Sequence, residues 1–158
     1  HHGGTIMLIL SSTSLTADGL SVAFLPAGRI TGASHAALVR RYYGSWAGEC
    51  PVVFHDGEKA LHGPEPKVAY HKVGVECATF PPYSPDLNPI ENVWGMLNNR
   101  LEATKPTGWE REKAFKRRVR NAVAWLNSTR SGALKRTVSS MPRRIELLLQ
   151  GKGAITPY

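Results

Sequence analysis

Two carboxylates stand where their surroundings could put them to chemical use. Asp56 closes the run Pro51-Val52-Val53-Phe54-His55-Asp56, which Gly57 ends. A short β-branched and aromatic run of this kind reads as a buried strand with an acid at its C-terminal end. Ligands gather at that end of open α/β sheets. Glu91 follows Asn88-Pro89-Ile90. Asn suits a helix N-cap and Pro the first helical position, so Glu91 falls third, on the first turn of a helix. Both acids offer hard oxygen ligands, which favour Mg²⁺ or Mn²⁺ over zinc. Two such ions about 4 Å apart activate a water or sugar hydroxyl on one side of a phosphodiester and stabilise the leaving oxygen on the other. Each acid also has a plainer reading: Asp56 as a turn residue, and Glu91 as a capping residue whose side chain reaches back to the N-cap amide.

The elements that must position these acids follow from periodicity and turn chemistry. Thr5 to Leu10 and Leu20 to Leu25 are apolar, β-rich runs; polar residues and an Asp18-Gly19 hairpin signal separate them. Ala36, Ala37, Leu38, Val39, Tyr42 and Tyr43 predict a helix from about residue 33 to 43, stopped by Gly44. Residues 58–73 are weakly helical, hampered by Pro64 and Pro66, with Gly74 as terminator. Val75 to Phe80 is the next strand, ended by Pro81-Pro82. The helix opened by Asn88-Pro89 carries an apolar stripe of Ile90, Val93, Trp94, Leu97 and Leu101. After Lys105-Pro106-Thr107-Gly108 comes a second amphipathic helix with Phe115, Val119, Ala122, Val123 and Leu126 inward. A short last helix runs from about Pro142 to Leu149.

Charge is unevenly spread. Residues 1–104 carry 7 Lys/Arg against 9 Asp/Glu, and residues 105–158 carry 13 against 3. A concentrated basic segment is the footprint of a phosphate-backbone binder, or else a solvated helix face with a basic tail. On the first reading, Lys116, Arg117, Arg118 and Arg120 contact DNA backbone. Cys50 and Cys77 match no zinc or redox spacing. The longest aliphatic run, Ile6 to Leu10, is far short of the roughly 20 residues that span a bilayer.

The string Phe80-Pro81-Pro82-Tyr83-Ser84-Pro85-Asp86-Leu87-Asn88-Pro89-Ile90-Glu91-Asn92-Val93-Trp94 resembles the segment around the last acidic residue of the Tc/mariner superfamily of DDE transposases. The resemblance implies an RNase H-like α/β fold, a mixed sheet flanked by helices. It implies that Asp56 and Glu91 are the second and third metal-binding, catalytic carboxylates. The family commonly places 34 residues between these acids, and 34 separate Asp56 from Glu91. The implied activity is Mg²⁺- or Mn²⁺-dependent cleavage and transfer of DNA strands at a two-metal site. The implied partners are transposon ends and target DNA, with a homodimer in the full-length protein and no membrane. The implied location is the nucleus in a eukaryote, otherwise the cytoplasm or nucleoid, without secretion.

The family's first catalytic Asp lies on the strand before Thr5 to Leu10, so the chain is expected to be N-terminally incomplete and to lack the first strand and one of three acids. On that expectation residues 1–104 form a partial DDE catalytic domain, residues 105–158 its basic helical extension, and little strand cleavage comes from the chain alone. Asp18 sits in a hairpin context, and Asp86 in a turn. The loop after Asp56 reads Gly57-Glu58-Lys59-Ala60-Leu61-His62 where the family has Asn-Ala-Pro-x-His. His62 is displaced by one position, and His55 should point to the opposite sheet face from Asp56. Two other functions stay open: a non-catalytic DNA-binding remnant of a transposase, and an RNase H-fold nuclease acting on RNA.

Overall fold

The computed structural model of the chain describes residues 11–16, 19–24, 30–44, 52–55, 59–81, 84–151 and 157. The chain divides into two compact units, residues 28–85 and residues 1–27 with 86–158. The change of charge after residue 104 falls inside the second of these.

In residues 28–85, β3 (Val52–His55) and β4 (Glu76–Thr79) pair in parallel, Val52 opposite Glu76 and His55 opposite Thr79. Parallel neighbours need a crossover, and α2 (Pro64–Val73) supplies it. This helix is better formed than its prolines suggested. Pro64 and Pro66 stand at its first and third positions, where backbone N–H groups have no intrahelical acceptor, so nothing is lost. Gly74 closes the helix in the left-handed region, at φ 72° and ψ 30°. Ahead of β3, α1 (Gly32–Leu38) opens with a capping box between Thr31 and Ser34 and runs on as a π-helical turn, Val39–Tyr43, over the span expected to be helical.

Ala36, Val39, Tyr43, Ala69, Tyr70 and Val75 form this unit's core, with Val53 and Cys77 packed against it. The strand expected to be buried is covered on one face alone. Val53 and His55 are half-buried, whereas Val52 and Phe54 are exposed and Phe54 stacks on Phe80 with ring centroids 5.0 Å apart.

In the other unit, β1 (Ser11–Thr16) and β2 (Gly19–Phe24) form an antiparallel hairpin, Thr16 opposite Gly19. The expected strand Thr5 to Leu10 lies outside the described residues. The polar stretch between the two apolar runs is itself a strand, because backbone pairing needs no apolar side chain and Thr is β-prone. Asp18 of the expected Asp18-Gly19 turn lies outside the described residues, and Gly19 begins β2 with φ +140°, which favours glycine.

Four helices complete the unit: α3 (Pro89–Ala103), α4 (Glu112–Thr129), α5 (Ser131–Ser139) and α6 (Met141–Gln150). Val93 and Leu97 from α3, Ala122, Val123 and Leu126 from α4, Leu134 from α5 and Leu20 from β2 close one core. Trp94, expected inward, is 40% exposed at the edge of the α3 stripe. No sequence signal announced α5, whose Ser, Gly and Thr are indifferent helix formers. Burial of Leu134 holds it in place. No helix among the described residues is long and apolar enough to cross a membrane.

Candidate functional site

Glu91 occupies the first turn of α3, and the local chemistry leaves its carboxylate unused. Asn88 caps the helix by accepting a hydrogen bond at Oδ1 from the Ile90 N–H at 3.3 Å. The reciprocal bond of a capping box, from the N-cap amide to Glu91, is not made. Glu91 is exposed and its carboxylate forms no hydrogen bond or ion pair among the described residues. Its negative charge at a helix N-terminus is favourable for the helix, yet the oxygens remain open to an outside cation. Asp56 lies outside the described residues, and the two acids belong to different units.

The four basic residues singled out on α4 divide by role. Arg118 is committed internally: Nε and Nη2 donate to the Glu110 carboxylate, the shortest bond at 2.7 Å, and Nη1 donates to the Leu101 carbonyl at 2.8 Å. The two side chains of this ion pair are 17% and 16% exposed. Lys116 pairs with Glu112 one turn earlier, and its ammonium lies 5.5 Å from the Phe24 ring centroid. Arg120 stacks over the same ring at 4.9 Å. Arg117 is exposed and forms no ion pair among the described residues. Helical spacing explains the division: positions 113, 116, 117 and 120 share one face, and position 118 turns about 100° away from 117. Arg117 and Arg118 both line a cleft of about 350 Å³ that also includes Arg100, Thr104, Glu110 and Asn121.

A buried histidine cluster lies in residues 28–85. Tyr70 Oη is hydrogen-bonded to His35 Nε2 at 2.8 Å and to His55 Nε2. The Tyr43 ring stacks on His55, and Cys77 Sγ lies 3.7 Å from His62 Nδ1. His35 Nδ1 has no partner among the described residues. A bare acceptor costs less there than an orphaned N–H. That assigns the His35 proton to Nε2, which donates to Tyr70, while the Tyr70 hydroxyl donates to His55. Burial, reinforced by the charge of His62, lowers the His35 pKa to about 4. Burial, with His35 and His62, lowers that of His55 to about 3. Burial raises the Tyr70 hydroxyl, helped by Tyr43 and Cys77. The lowered pKa values favour uncharged rings at neutral pH. No group of three or more His, Cys, Asp or Glu among the described residues is arranged to hold a metal.

Residues 15–110 match the family described as DDE superfamily endonuclease. The chain belongs to that family. Over 84 residues it is 32% identical to the Tcb1 transposase of Caenorhabditis briggsae and to the Tc1 transposase of Caenorhabditis elegans, a region covering 53% of this chain and 29% of each relative. It therefore spans under a third of the length of these relatives. Its fold is similar to the catalytic domain of Mos1 mariner transposase, with a TM-score of 0.72 at 15% identity over 94% of this chain and 76% of that one. The same domain in a structure with raltegravir and Mg gives a TM-score of 0.73 at 13% identity, over 94% and 77% of the two chains. The expected RNase H-like fold of a mariner transposase catalytic domain is thus the observed one.

Within this DDE family the matched region takes in both Asp56 and Glu91 and ends before Lys116. Sequence reasoning missed Arg144 of α6, which is buried and hydrogen-bonded to Asn92 beside Glu91. A signal existed: Met141, Arg144 and Leu148 share one helical face, so an arginine stands on an otherwise apolar stripe.

Proposed function

We infer that the chain is part of the catalytic domain of a Tc/mariner-type transposase, in which Asp56 and Glu91 hold divalent metal and the complete protein cleaves and transfers DNA strands. The observation that carries this reading is the Glu91 carboxylate. It sits on the first turn of α3, exposed and unpaired among the described residues, while Asn88 does the capping. The donor chemistry fits Mg²⁺ or Mn²⁺, since both acids are hard oxygen ligands. Bound there, the metal would supply charge neutralisation at the scissile phosphate. The chain's own part is to present Glu91 from a capped helix end and to hold the DNA backbone. Lys116, Arg117 and Arg120 are the residues for that contact, with Arg118 bracing α4 behind them through Glu110 and Leu101. Transposon ends and target DNA are the partners, a homodimer is the assembly, and the nucleus or nucleoid is the place of action.

The test is Mn²⁺ binding by the purified chain, followed by paramagnetic broadening of its amide signals. Broadening should centre on Glu91, and Asp56→Asn and Glu91→Gln should each weaken binding by about 10-fold or more. DNA binding that persists with no Mn²⁺ effect at Glu91 would instead favour a nucleic-acid-binding remnant with a silent site.

A further inference from the structure

Arg144 is 2% exposed although it lies in the basic segment after residue 104. Its guanidinium reaches three acceptors. Nε donates to Ser140 Oγ at 2.8 Å, Nη2 to Asn92 Oδ1 at 2.6 Å, and Nη1 to the Asp86 carbonyl. Ser140 Oγ itself donates to the Thr137 carbonyl at 2.7 Å, which fixes that acceptor in place. Asp86 belongs to the 3-10 turn Pro85–Leu87 that leads into α3, and Asn92 directly follows Glu91. One side chain therefore grips the backbone before the N-cap and the helix just after it.

Residue type and place both matter. A guanidinium presents its donors in a rigid planar fork, whereas an ammonium is a compact point charge that would not span three separated acceptors. Burying the charge is costly unless its donors are satisfied, so solubility does not account for an arginine here. The first turn of a helix lacks intrahelical acceptors for its N–H groups and is the turn most free to fray. Asn88 satisfies one of these groups, and Arg144 ties the same turn down from outside.

We propose that Arg144 is a positioning residue for Glu91: by clamping Asp86 and Asn92 it fixes the direction in which the Glu91 carboxylate meets a divalent cation. The proposal rests on the reading of Glu91 as a metal ligand. Outer residues that orient a ligating side chain typically change metal affinity by about 10- to 100-fold when removed.

Mn²⁺ titrations of the whole chain test it, read by paramagnetic broadening, with ¹⁵N relaxation of the Glu91 and Asn92 amides alongside. Arg144→Met keeps the apolar stem and deletes the fork, while Asn92→Ala removes one acceptor from an exposed position and leaves the bonds to Ser140 and Asp86 in place. Mn²⁺ affinity should fall about 10-fold in Arg144→Met and by a smaller factor in Asn92→Ala, with faster motion of the two amides in both. Arg144→Lys should recover part of the loss. Leu134→Ala, which weakens the core without touching the clamp, should leave Mn²⁺ affinity as it was. Parental affinity in both Arg144→Met and Asn92→Ala overturns the positioning role while the metal reading stands. If Arg144→Met does not fold, Asn92→Ala decides. Parental affinity in Glu91→Gln overturns the metal reading, and with it the role given to Arg144.

Discussion

The side-chain amide of Asn127 gives Leu20 both of the hydrogen bonds that a neighbouring strand would provide. Oδ1 accepts from the Leu20 N–H at 2.9 Å and Nδ2 donates to the Leu20 carbonyl at 2.9 Å, across 107 residues of sequence. This clip docks α4 on the hairpin edge, and Leu20 beside it is 2% exposed in the core. Asn127→Ala leaves a buried N–H and carbonyl unpaired and should cost about 2–3 kcal/mol in urea denaturation. Gly19 is coupled to the same amide. A Cβ at Gly19 would meet Asn127 Oδ1 at 2.7 Å, on top of its φ of +140°. Gly19→Ala should therefore be strongly destabilising alone and less so in the Asn127→Ala background, and strictly additive effects would rule out the clash.

Capping and the proposed metal binding would draw on the same first turn of α3. Asn88 makes the cap bond and Glu91 does not. Asn88→Ala should lower stability by about 1 kcal/mol. Glu91→Gln should change it by no more than about 0.5 kcal/mol, the size of a lost helix-dipole interaction. A large thermal shift in Glu91→Gln would show that the carboxylate has a structural duty.

The start of α3 was legible because Asn, Pro and an apolar stripe all point to one boundary, and local rules suffice there. The same holds for the inward face of α4, where Val119, Ala122, Val123 and Leu126 are buried as their spacing predicts. The prolines of α2 misled because position within a helix decides what Pro costs, and Pro64 and Pro66 fall in the first turn. β1 was hidden since its pairing is carried by backbone groups that every residue has. Asn127 and the histidine cluster were illegible for another reason: each depends on contacts between residues far apart in sequence. The apolar stripe of α6 marked Arg144 as out of place, but its partners Asp86 and Asn92 are equally distant in sequence. Of the candidate site, the acids and the basic face could be named from sequence, but not which arginine is already occupied.

Arg117 and Arg118 are adjacent, yet they should answer to different measurements. Arg118 is pinned between Glu110 and the Leu101 carbonyl, so Arg118→Ala leaves a shielded carboxylate without its partner and should cost on the order of 2 kcal/mol of stability. Arg117 is exposed, and Arg117→Ala should leave stability within about 0.5 kcal/mol. Its loss should instead lower the slope of log K for DNA against log salt by about 0.9, one phosphate contact. Equal salt slopes for the parent and Arg117→Ala would remove Arg117 from the DNA-binding face.

Residues 28–85 should be the acid-sensitive part of the chain. His35 and His55 are held neutral, with pKa values lowered to about 4 and about 3 from an ordinary 6.5. Among the described residues, the groups around them are Tyr43 of the π-helical turn, Tyr70 of α2, Cys77 of β4 and His62, none of them an anion that would welcome a charged ring. An unfolded chain takes up protons at both rings below about pH 6.5 and the folded one does not, so stability is complete above that pH and falls as pH drops toward 4. At pH 5 each ring should have cost about 2 kcal/mol relative to pH 7. His55→Gln should remove part of this slope, and His35→Gln another part, since neither amide titrates. Tyr70→Phe removes the hydroxyl that both rings share and should lower stability at every pH without flattening the acid limb. The measurement is urea denaturation at intervals from pH 4 to 8, and a curve for His35→Gln/His55→Gln as steep as that of the parent would mean that other groups carry the acid response.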